Sequence, residues 1–549
     1  MTVKNTDKKY LIGALAGLTA SLLAVCWHAK AGQGMTEATA LHWAVQEMTA
    51  SYRLRQIVAT MAMYAVGYLA VYPFCGQIGG SWAGLLAMTV GNALWGVVSA
   101  LLLFVNIPYN RVTMSALTIL LLAGLGLRFR ESYREMGWCR MCVWLTAALS
   151  VTVMASSGMF ARFFSSDSYY FVMQYGELIA KEGRLSSDIA GIYMTWTGIT
   201  PALISSFAAM WGFENIYAIH YLLVFSMYGF IALLAYRSAS AHWGKRVSFL
   251  IASASLATVM LIPGVTYLSF WIINNTYFMI YILPLVMLPV VAGGKPDGKV
   301  ICILSLLFVW LTLCRPETAL VMCFFIICVS SLGLSRRQAA ALYVPMCIGQ
   351  MLFFGKLLYE YAIGARQADS KMLTVQTAAV LVLALALTGV YVGIYRLGWV
   401  CYIRKHLREF VLGGLLLACL GLGLLDLDKL WNNLAVVLRN SVDWYWNYVM
   451  IVALAMEILK SLCKCRNRYY DLIIGGFVLC NFAVCMGRPH GLRLGIGDSY
   501  NRICMSVLPL YVVSTVLTFL EHFGRENGGL GARKESGHGA LEEARKEEG

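Results

Sequence analysis

Charged residues are scarce in this chain, so those that interrupt its apolar runs can be weighed singly. In Ser165-Ser166-Asp167-Ser168-Tyr169-Tyr170, Asp167 is a carboxylate suited to general-base work, taking the proton of an acceptor hydroxyl as it attacks. The same position suits a helix N-cap, where a carboxylate satisfies orphan N–H groups and complements the dipole; the two roles can coexist. Asp188 lies beyond the same segment, and Glu317 belongs to Arg315-Pro316-Glu317, which breaks two apolar runs. A charged pair there is costly unless paired or facing water, so it reads either as site chemistry or as a self-neutralising turn. Late in the chain come Arg488, His490, Arg493 and Arg502. An arginine fork suits phosphate oxygens and keeps its charge at any working pH, so these side chains could stabilise a phosphate leaving group. Arginines meeting lipid phosphates would give the same pattern.

The elements that must position these residues are apolar helices. Of the 549 residues, 59% are hydrophobic and 13% charged, far from the balance of a soluble domain. Apolar runs of about 17–25 residues, each long enough to cross a bilayer as a helix, recur from Tyr10 to Leu520. Alternating segments of about ten residues, the mark of a membrane β-barrel, are not seen. The expected fold is all-α: a polytopic transmembrane bundle of about 16 spans. The net charge of +15 is scattered through short loops, which is a positive-inside bias rather than a groove for nucleic acid. Most of the 16 cysteines lie within apolar runs, where a thiol behaves as a small hydrophobe. Neither Cys139-x-x-Cys142 nor Cys463-x-Cys465 has further Cys or His at ligand spacing, so no metal site is assigned.

Charge bookkeeping sets the sides. A basic Met1–Lys9 segment puts the N-terminus in the cytoplasm, and expected spans at 10–28, 57–75, 82–105 and 112–127 return the chain to a basic loop at Arg128–Arg134. A span at 140–160 then carries Asp167 to the outer face. There Phe171, Val172, Tyr175, Leu178 and Ile179 form one face of a short amphipathic helix closed by Gly183, with Glu177, Lys181 and Glu182 on the other. Gly198 to Gly212, short and holding Pro201, is expected not to cross fully. Runs near 410–425, 448–462, 470–486 and 503–520 leave Asp426–Asn447 and Gly487–Arg502 outside. Trp431, Trp444, Tyr445 and Trp446 in the first of these segments suit interface anchors or sugar-stacking rings. The chain divides into a four-span bundle (1–139), a core (140–520) and a disordered cytoplasmic tail (521–549).

The order of these pieces resembles the GT-C superfamily of membrane glycosyltransferases. The likeness rests on the 140–160 span, Asp167-Ser168-Tyr169-Tyr170, the helix ending at Gly183, Thr200-Pro201-Ala202-Leu203, Arg315-Pro316-Glu317, and Ser499-Tyr500-Asn501-Arg502 followed by Pro509-Leu510. It covers residues 140–520, and there are departures: no second acid stands beside Asp167, Ile503 follows the late arginine where the family has tyrosine, and no large soluble C-terminal domain follows. The resemblance implies inverting transfer of a sugar from a polyprenyl-phosphate donor to a glycan or lipid acceptor, at the outer face of a bacterial-type plasma membrane. Asp167 would be the catalytic base, with Asp188 or Glu317 as a second acid. Arg502, Arg488, Arg493 and Arg315 would hold the donor phosphate, and Tyr169, Tyr170 and His490 would contact substrate. No cofactor is implied, and a divalent metal is left open.

Two other classes fit parts of the pattern. A polysaccharide polymerase or ligase also has many spans and outer arginines, without needing the early Asp and surface helix. A lipid-linked-glycan flippase or transporter would show internal repeats and buried midplane charges, and neither is evident.

Overall fold

The computed structural model describes residues 5–33, 51–75, 78–134, 136, 138–157, 159–160, 168, 172–185, 198–211, 215–314, 318–362, 375–395, 397–442, 448–465, 467–486, 490–495 and 498–535. Every extended regular element among them is helical, from Asn5–Gln33 to Leu508–Glu535. Nine helices among the described residues are long and apolar enough to cross a membrane, or ten if the bent pair Lys245–Met260 and Pro263–Phe270 is one span. The chain is therefore all-α, and its apolar helices are compatible with a multi-pass membrane protein.

Several apolar runs fold as shorter helices, among them Gly298–Thr312 and Thr318–Ser330. Thr200–Trp211 has twelve residues. At 1.5 Å per residue it reaches about 18 Å, short of the roughly 30 Å of hydrocarbon, in keeping with a segment that does not fully cross. At the other end of the chain, the last helix continues past Leu520 to Glu535.

By chain contacts the protein forms two compact units, Met1–Met227 with Tyr267–Phe410, and Tyr228–Thr266 with Val411–Gly549. In the first unit the core lies around Asn274–Val291, buried on all sides from Asn274 to Pro289. A helix apolar all round belongs in such a place. By contrast Val112, Ile119, Leu120 and Leu127 stand exposed along Arg111–Arg128, a face suited to lipid. The helices Ser51–Val71 and Ser81–Phe104 approach too closely for side chains: a Cβ on Gly67 would sit 1.8 Å from Ala87 O. Asn92 then links three helices, accepting from Tyr281 Oη at 2.5 Å and donating to Met63 Sδ.

Candidate functional site

The expected amphipathic helix is Gln174–Glu182, and Gly183 closes it with φ +67°. Val172, Tyr175 and Ile179 are buried while Glu177, Lys181 and Glu182 are exposed, matching the expected faces. Its buried face meets the Thr200–Trp211 helix, not lipid alone. Gly176 lies so near Ser205 that an added Cβ would fall 2.4 Å from the serine Cβ. The cap is pinned as well, since Tyr109 N donates to Gly183 O at 2.8 Å. Tyr109 itself is fully buried, with its phenol 3.1 Å from Ser206 Oγ. Burial pushes that phenol up to about 12, against a partial pull downward from hydrogen bonds to Ser206 and Ser99. Arg111 fixes the far end of Thr200–Trp211, donating from Nε to Met210 O at 2.6 Å with its guanidinium over the Trp211 ring.

The other end of Thr200–Trp211 reaches the edge of the Arg315-Pro316-Glu317 motif. A helix leaves its last four carbonyls without partners inside it. At the end of Gly298–Thr312 three of these accept from elsewhere in the fold. Thr200 Oγ1 donates to Trp310 O at 3.1 Å, Thr318 Oγ1 to Leu311 O at 2.9 Å, and Gln350 Nε2 to Thr312 O at 2.6 Å. Leu313 O accepts from Ile199 N at 2.8 Å and Thr200 N at 3.2 Å, and Cys314 O from Asn274 Nδ2 at 3.5 Å. Gly198 is required here twice over: its φ is +68°, and a Cβ would come within 2.4 Å of the Cys314 carbonyl. The stretch Trp310–Cys314, which ends immediately before Arg315, is therefore held from four elements.

The late loop is built from amides in the second unit. Asp498 caps the Ser499–Ser506 helix, its Oδ1 accepting from Tyr500 N at 2.7 Å. The other carboxylate oxygen accepts from Arg493 N at 3.0 Å, so one buried side chain fixes both the loop and the helix that bears Arg502. Asn440 Oδ1 accepts from Gly495 N at 2.9 Å, and its Nδ2 donates to Asn501 Oδ1 at 3.1 Å. Asn501 Nδ2 returns a bond to Gly495 O at 2.6 Å, and Asn433 Oδ1 accepts from Leu492 N at 2.7 Å. On this frame His490 and Arg493 are exposed and Arg502 half-buried. Exposed cations on a rigid backbone can receive an anion without reordering the loop.

Asp167, Tyr169, Tyr170, Asp188, Arg315, Glu317 and Arg488 lie outside the described residues, as do Trp444, Tyr445 and Trp446. The structure joins the described flanks of the Asp167-bearing segment and the Arg315 motif within one unit, and holds Arg493 and Arg502 on one frame within the other. Among the described residues no group of three His, Cys, Asp or Glu is placed to hold a metal. Sequence reasoning passed over Asn433, Asn440, Asp498, Gln350 and Tyr109. Asn433 and Asn440 carried a signal, since a spacing of seven puts two polar side chains on one helix face. No protein-family model, curated protein or solved structure matches the chain.

Proposed function

We propose that the chain is an integral-membrane glycosyltransferase of GT-C type, moving a sugar from a polyprenyl-phosphate donor to a glycan or lipid acceptor at the outer membrane face. In this reading it makes about 16 crossings, the shorter apolar helices included. Asp167 takes the acceptor proton, Arg315 and Glu317 shape its site, and Arg315 holds the donor phosphate as charge develops on it. The observation that carries the reading is the bond from Ile199 N to Leu313 O. It ties the exit of the segment that bears Asp167 to the entrance of the Arg315 motif, as a shared site requires.

The test is a vesicle assay with a labelled polyprenyl-phosphate sugar and an outer acceptor. Label in the acceptor without transbilayer movement of lipid supports transfer. Movement of intact donor without transfer favours a flippase. One feature speaks for that second reading: Lys245–Met260 and Pro263–Phe270 are bent by 78° at a short break, and discontinuous helices line transport paths.

A further inference from the structure

The Leu427–Ser441 helix begins one residue after Leu407–Leu425, an apolar helix of crossing length, comes to an end. Asp426 makes the junction, its Oδ1 accepting from Lys429 N at 3.0 Å to start the new helix. The second helix therefore starts where a helix of crossing length ends. Its two faces are the reverse of those on a soluble helix. Asn433 and Asn440 are buried, engaged by the late loop through Leu492 N, Gly495 N and Asn501. Lys429 is drawn to the same side, donating from Nζ to Met486 O at 2.7 Å. On the outward side Leu427, Trp431, Leu434 and Leu438 fall at i, i+4, i+7 and i+11 as one stripe. All four are exposed, Trp431 at 68% and Leu438 at 70%. The helix of crossing length just before it is also bare on one side, with Leu417 and Leu424 exposed to a similar degree. Exposed Arg439 flanks it, and its long stem can lift the charge to the headgroups while the leucines go deeper.

We infer that Leu427–Ser441 lies in the plane of the membrane surface, with Leu427, Trp431, Leu434 and Leu438 among the acyl chains of the adjoining leaflet. The helix thereby sets the depth of the 490–502 loop, whose Arg493 and His490 are carried at the level of lipid headgroups. The occupant of the stripe is lipid because the helix follows, after the single residue Asp426, a helix of membrane-crossing length with its own exposed leucines, and because tryptophan at such a junction favours the interface. The inference needs only a membrane-resident chain and is independent of sugar transfer.

The test is photocrosslinking in the full-length chain, reconstituted in phosphatidylcholine and phosphatidylglycerol vesicles with deuterated acyl chains. A photoreactive benzoyl-phenylalanine replaces Leu438 or Trp431, and Leu417 of the crossing helix in a reference sample. Lipid adducts at 438 and 431, at yields close to those at 417, are expected. If 417 gives lipid adducts while 438 and 431 give none, or crosslink to a second copy or another polypeptide, the inference is overturned. A second arm uses Leu434→Asp with Leu438→Asp, which weakens insertion of the stripe. Tryptic cleavage after Arg493 in these vesicles should rise several-fold, and unchanged cleavage would refute the claim that the helix sets the loop's depth.

Discussion

Ile199 N donates to Leu313 O at 2.8 Å across more than a hundred residues of chain. The bond lies beside Gly198, whose backbone conformation and contact with Cys314 both exclude a side chain. Gly198→Ala should therefore lose this junction. A Cβ overlapping a backbone carbonyl has no flexible neighbour to push aside, and overpacking of that kind costs about 1–3 kcal/mol or more. Thermal unfolding in detergent should show the loss, whereas Gly244→Ala, at a site with open space around it, should unfold like the parent.

Asp498 should prove more important than its place in a loop suggests. Asp498→Ala leaves the backbone N–H groups of Arg493 and Tyr500 without their acceptor, at a cost of about 1–3 kcal/mol for buried donors. Limited trypsin digestion should then cut after Arg493 faster than in the parent. Asp498→Asn keeps one carbonyl acceptor and should fall between the two.

Gly176→Ala should lift the Gln174–Glu182 helix from Ser205, with a loss of about 1–3 kcal/mol from overpacking. Ser205→Gly in the same chain should return part of that loss, because the serine side chain is among the atoms in the way. Thermal unfolding of the two single variants and the double variant measures this coupling.

Alkaline stability should carry a contribution from Tyr109. Its phenol is pushed from the ordinary value of 10.0 up to about 12, so above pH 10.0 the unfolded chain loses a proton that the folded chain keeps. Stability from this group is full below the ordinary value and falls as pH rises through about 12. Tyr109→Phe cannot ionise, so its unfolding temperature should decline less steeply than the parent's across that window.

The helices were legible because membrane crossing writes itself in composition: the runs expected at 82–105 and 112–127 are the helices Ser81–Phe104 and Arg111–Arg128. The amphipathic face of Gln174–Glu182 and its Gly183 cap were legible for the same local reason, a period and a stop signal. What covers that face was not, since Ser205 meets Gly176 only through tertiary packing. The late loop's arginines stood out by charge, while the asparagines that hold them did not. A buried amide acts through geometry, and Asn440 gains its meaning only when Gly495 and Asn501 are brought to it. Gln350 is similar, a lone polar side chain in an apolar run whose partner, Thr312 O, is thirty-eight residues away.

In the proposed function, the carboxylate of Asp167 drives sugar transfer. Its most direct measurement is the transfer rate of Asp167→Asn in vesicles supplied with labelled polyprenyl-phosphate sugar and acceptor, at matched protein level and insertion. The substitution nearly preserves shape while removing the base, so transfer should fall by about 100-fold or more, the scale of a lost general base. Transfer at the parent rate would rule out Asp167 as the base.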